Sequence, residues 1–159
     1  MGRRSTSIHK WLVALALLLS PFAHADADQE EALRDIGAVL GWRLGPETLE
    51  EYCRAADPDG VAARETALAS WLRKNDALIR QVDSRIAEVV PILFKGRDSA
   101  DPVRDIRSQV KSLLLANASA SMCVAERDPA SSSWTSNGVP HVPESLAALY
   151  DWQIRHTQR

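Results

Sequence analysis

Histidine, cysteine and alternating β-type patterns are all scarce in this 159-residue chain, and each scarcity closes off a class of chemistry. Of the four histidines, His9 and His24 fall in an N-terminal leader, which leaves His141 and His156. Neither His-Glu-x-x-His nor Cys-x-x-Cys-His occurs, so no zinc-protease helix and no covalent haem attachment is written here. His141-x-x-Glu144 offers one loop histidine and one carboxylate, an incomplete metal site. Non-covalent haem would have to use Met122 and His156, and His156 stands at a terminus that should fray. No cofactor and no metal are expected.

Catalytic sets are missing as well. Ser108-Gln109-Val110-Lys111 fits the S-x-x-K pattern of penicillin-interacting serine enzymes, but S-D-N and K-T-G are absent. Glu47, Glu50 and Glu51 form a carboxylate cluster of the kind that glycan cleavage needs. Acidic residues at the start of a helix explain that cluster by complementing its dipole. The sequon Asn117-Ala118-Ser119 falls inside a helical pattern, where it carries no message about glycosylation. The chain reads as a non-enzyme.

No apolar run is long enough to span a bilayer; the longest, Trp11 to Leu19, belongs to the leader. Arg3, Arg4 and Lys10 precede it, Ser20-Pro21 breaks it, and Ala23-His24-Ala25 is a small-x-small cleavage site. Residues 1–25 are therefore expected to be a cleaved secretory signal, with Asp26 as the new N-terminus. Ser5, Thr6 and Ser7 stand where a twin-arginine signal carries apolar residues, so the ordinary secretory route is expected. With no cysteine after the apolar run, a lipoprotein anchor is excluded. A soluble periplasmic or secreted protein follows.

Cleavage would take three of the 19 Lys+Arg and leave 16 against 21 Asp+Glu, a formal charge of −5. An acidic surface argues against nucleic acid, whose phosphates need neutralising, and against anionic membranes. Residues 26–159 suffice for one domain with a genuine core.

What the chain does contain is helical periodicity. Leu68, Leu72, Asn75, Ile79, Val82, Ile86, Val89 and Leu93 recur at steps of three and four, which predicts one long helix over Val61 to Phe94. Trp71, Leu78 and Val90 widen that stripe, and the opposite face is charged. The other helices should pack along it. A first helix is expected to about Trp42, and a short second one after Gly45-Pro46, because proline favours a helix start. Asp57-Pro58-Asp59-Gly60 is a turn. Gly96 should end the long helix, and Asp101-Pro102 should open a fourth that runs through Asn117 to Val124. These two make a long antiparallel helical hairpin. Residues 130–142 read as a loop, and a last helix runs from Pro143 to near His156, with Leu146, Leu149 and Tyr150 inward. The fold class is all-α: a single-domain bundle of four to five helices.

In an exported chain the lone pair Cys53 and Cys123 is expected to form a disulfide. Reflection about the turn near 96–101 sets Cys123 opposite about residue 73 and Cys53 opposite about 64, a mismatch of about two and a half turns. A late helix start, a bend at Pro91 or an oblique second helix must absorb it. The same reflection brings Asn117 to within about one turn of Asn75. Both occupy apolar stripe positions, so they are expected to form a buried polar pair. Their role would be to fix register; the alternative is a polar spot that orients a bound ligand.

Trp134 and His141, in or beside the loop, are the candidate interaction residues, since tryptophan is enriched at binding hot spots. The expected function is protein binding, of inhibitor, immunity or adaptor type, with another exported protein as partner. A small-molecule or cofactor-binding bundle is the alternative.

Overall fold

A computed structural model describes residues 27–127 and 141–158; the expected leader and Trp134 lie outside the described residues. Among the described residues the protein is an all-α bundle of five helices, with no strand. Helix α1 is Ala27–Ala56, followed by a single 3₁₀ turn at Pro58–Gly60. Helix α2 is Val61–Leu93, α3 is Pro102–Asn117, α4 is Ala120–Ala125 and α5 is Val142–Thr157.

Helix α2 lies where the stripe predicts it, 33 residues long and carrying Pro91 inside its last turn. Gly96 takes a φ of 83°, the left-handed conformation that lets the chain leave a helix at no steric cost. Asp101 caps α3 by accepting a hydrogen bond from the Arg104 N–H at 3.0 Å, with Pro102 at the first position. Arg107 of α3 then reaches Asp83 of α2 at 2.8 Å, tying the two arms of the hairpin.

Three expectations need correction. The first helix does not stop before Gly45-Pro46; α1 runs through both. Proline costs a helix one backbone hydrogen bond, but buried Leu40 and Leu49 anchor α1 on either side of it. The Arg43–Glu47 ion pair (2.5 Å) bridges the same turn. Nor does α3 continue to Val124. Ala118 and Ser119 are extended, and the chain restarts as the six-residue α4. Finally, α2 is not the sole axis. Helix α1 packs against every other helix, and α3 lies more on α1 than on α2. Reflecting α3 onto α2 therefore misplaces it, and the break at 118–119 is what lets Cys123 reach Cys53.

Two cores result. The larger joins Ala32, Leu33, Ile36, Val39 and Leu40 of α1 to Val82, Ile86, Val89, Val90 and Leu93 of α2. Ile106 and Val110 of α3 and Val142, Leu149 and Trp152 of α5 complete it. Each fully buried aliphatic there contributes about 1.5–3 kcal/mol. The smaller joins Leu49, Cys53, Ala67, Trp71, Ile79 and Cys123, with the Trp42 and Trp71 rings 5.1 Å apart. On α5, Trp152 faces inward and Tyr150 outward, the reverse of the expected inward Tyr150, because the buried face runs Val142, Ser145, Leu149, Trp152.

Candidate functional site

The disulfide is present: Cys53 and Cys123 are bridged with a Cα–Cα separation of 5.4 Å, and both are fully buried. Beside it lies an ionic cluster. Arg64, one turn into α2, has no exposed surface at all. Its Nε donates to Glu50 Oε2 at 2.8 Å, and its Nη2 donates to the carbonyls of Asp57 (2.8 Å) and Cys53 (3.1 Å). Its Nη1 donates to the Asp57 carboxylate. Arg127, just beyond α4, donates to the same carboxylate through both Nε, at 2.7 Å, and Nη2. A buried guanidinium is tolerable only with its donors occupied, and here carboxylates and carbonyls share them.

Gly60 completes the cluster by being small. A Cβ there would strike the Arg64 and Arg127 guanidinium groups and the Asp57 carboxylate. Its φ of −89° suits any residue, so space is the requirement. The sequence reasoning missed Arg64, although it continues the α2 stripe one turn before Leu68. Arginine on an inward register was the available signal.

The cluster and the disulfide fix α4 on the flank of α1. That short helix turns Met122 and Val124 to solvent, and Val124 is 58 % exposed. These two are exposed large apolar residues of the described chain, together with Tyr150. Tyr150 carries the Arg85 guanidinium over its ring at 4.7 Å. Met122 and Val124 precede residues 128–140 in sequence, and His141 follows them. His141 stands exposed at the head of α5, its Nδ1 3.1 Å from Glu144 Oε2. Trp134, the other expected contact residue, lies outside the described residues.

The asparagine pair is not formed. Asn117 is exposed, and its Nδ2 donates at 2.8 Å to the carbonyl of Leu113 in its own helix. Asn75, half-buried, likewise donates at 2.9 Å to the carbonyl of Trp71. Each amide satisfies itself locally, a common recourse of short polar side chains on helices. Because α3 lies mostly on α1, nothing draws Asn117 to α2 at that level. The polar spot expected to orient a ligand is therefore not formed by these two residues.

The carboxylates weighed for glycan cleavage are each held by a cation: Glu47 by Arg43, Glu50 by Arg64 and Glu51 by Lys111 (2.6 Å). Lys111 is also the lysine of the S-x-x-K match. Among the described residues no three His, Cys, Asp or Glu side chains gather in a way that could hold a metal ion.

Asp35 and Arg43 are shifted from their ordinary ranges. Burial raises the Asp35 carboxyl. The hydrogen bond it accepts from Ser145 Oγ (2.7 Å) lowers it, Glu31 raises it and Arg34 lowers it, and the net shift is upward. For Arg43, burial favours the neutral form, but Glu47 and Asp83 outweigh it and the net shift is upward.

Comparison with protein families, with curated proteins and with solved structures finds no match to this chain.

Proposed function

We propose that this is an exported, non-enzymatic protein-binding module of inhibitor, immunity or adaptor type. It engages another exported protein through the outer face of α4, with the head of α5, which packs on α1 near Asp35, as a separate second contact. The observation that carries this reading is the exposure of Met122 and Val124 on a helix pinned from behind by a disulfide and an ion pair. Apolar side chains held rigidly at a surface lose little entropy on docking, which is what makes a binding anchor effective. Trp134 and His141, from the segment that follows, extend the contact.

Export is supported by the leader pattern of residues 1–25 and by the bridged cysteines, which persist in oxidising compartments. Among the described residues no helix is long and apolar enough to cross a membrane.

The test is affinity capture from a periplasmic extract, using residues 26–159 as bait beside a double variant, Met122→Asp with Val124→Asp. A stoichiometric partner retained by the first and lost by the second is the expected result. The variant should keep its far-UV spectrum and its disulfide. A partner held equally by both baits would remove α4 from the contact, and no partner at all would defeat the reading.

A further inference from the structure

We infer that the Cys53–Cys123 bridge is a clasp for α4: a dithiol that reduces it frees α4 from α1 while the rest of the bundle stays folded. Only the consequence for binding rests on the function proposed above; the release itself does not.

Three observations carry the inference. First, α4 is an appendage. Extended Ala118 and Ser119 separate it from α3, and a helix of six residues cannot hold itself together in water. Second, Cys123 is the one buried side chain within α4, so the sulfur is its main apolar contact with the core. Outside the helix, buried Glu126 and the Arg127–Asp57 ion pair add to it. Third, the bundle does not depend on α4. The larger core contains neither cysteine, and Asp57 keeps its bonds to Arg64 when Arg127 leaves. Helices α1 and α2 thus remain joined at this end through Glu50 and Arg64.

The chemistry is thiol–disulfide exchange. Because the bridge is fully buried, exchange begins when the short α4 opens transiently and uncovers it. One thiolate of the dithiol then attacks a bridge sulfur and expels the other cysteine as a thiolate, which takes up a proton. The second thiol of the reductant then displaces the first cysteine, leaving two protein thiols and an oxidised reductant. With the apolar link cut, Met122 and Val124 lose their fixed orientation. A reducing partner would thereby switch off the surface.

Hydrogen exchange on the whole protein tests this, comparing the oxidised form, the form reduced by dithiothreitol, and the double variant Cys53→Ala with Cys123→Ala. In the oxidised form, amides such as Glu126 N–H, bonded to the Met122 carbonyl at 3.1 Å, should be slowed at least about tenfold relative to a free chain. In the reduced form and the variant, residues 120–127 should exchange within about tenfold of the free-chain rate, at least about a hundredfold faster than Val82–Leu93. Equal protection of α4 and Val82–Leu93 after reduction would overturn the inference, as would a variant that fails to fold. Capture of the partner is scored separately. If α4 is released and the partner still binds, the clasp stands and the assignment of the surface to α4 fails.

Discussion

The two ends of the α1–α2 pair are held by different physics. At one end Ala32 to Leu40 of α1 meet Val82 to Leu93 of α2 in a largely apolar core, closed by α3 and α5. At the other a small apolar cluster shares its space with a disulfide and a buried guanidinium bonded to Glu50, Asp57 and two carbonyls. Apolar packing is tolerant, since neighbouring side chains can shift to fill small defects. The ionic end is not. A buried charge is stable only with its partners in place, so removing the central Arg64 strands Glu50 and leaves Asp57 with Arg127 alone.

Loss of Arg64 should have the largest effect. Arg64→Ala leaves Glu50 without its main cation and Asp57 with Arg127 alone, and should cost about 3–5 kcal/mol, read as a lower urea midpoint. A cost below that of a core truncation would break the contrast between the ends. The core truncation to set beside it is Leu149→Ala, at a fully buried position of the apolar end, expected to cost about 3 kcal/mol. Gly60→Ala should come next at about 1–3 kcal/mol, because the new methyl must push the Arg64 and Arg127 groups apart. The same substitution at Gly41 or Gly45, where a Cβ meets nothing, should be neutral or slightly stabilising, since alanine is the better helix former.

The smallest effect sharpens the comparison at the apolar end, where Asp35 accepts from Ser145 and links α1 to α5. The Asp35 pKa is raised on folding, so the folded state holds the proton more tightly than the unfolded chain. The associated stability is full below the ordinary carboxyl range and is lost as pH rises through the raised folded value. Asp35→Asn keeps an acceptor for Ser145 and removes the charge. The variant should melt higher than wild type at pH 7, and the difference should vanish near pH 3. A variant that melts lower at pH 7 would mean that the carboxylate itself stabilises the joint.

The contrast between the ends also explains what could be read in advance. Val82, Ile86, Val89 and Leu93 announced their burial because hydrophobic periodicity is a local property of the chain. Arg64 has the same register but the wrong chemistry, and only the folded chain shows the carboxylates that receive it. Asn117 failed for a related reason. The buried stripe of α3 ends before it, with Ile106 and Val110 inward and Asn117 exposed, and the long α1 takes most of that helix.

The all-α class, the span of α2, the caps at Gly96 and Asp101 and the pairing of the two cysteines were legible in the residues alone. Each follows from short-range periodicity, backbone preference or the absence of any other partner. The tertiary structure decided that α1 runs on through Pro46, because packing on both sides outweighs one lost hydrogen bond. It also decided that the chain breaks at Ala118 and Ser119, that Arg64 is buried and that Met122 and Val124 face outward. Those outcomes depend on which helices meet. That choice is a balance of burial and ion pairing among residues far apart in the chain, which no local pattern records.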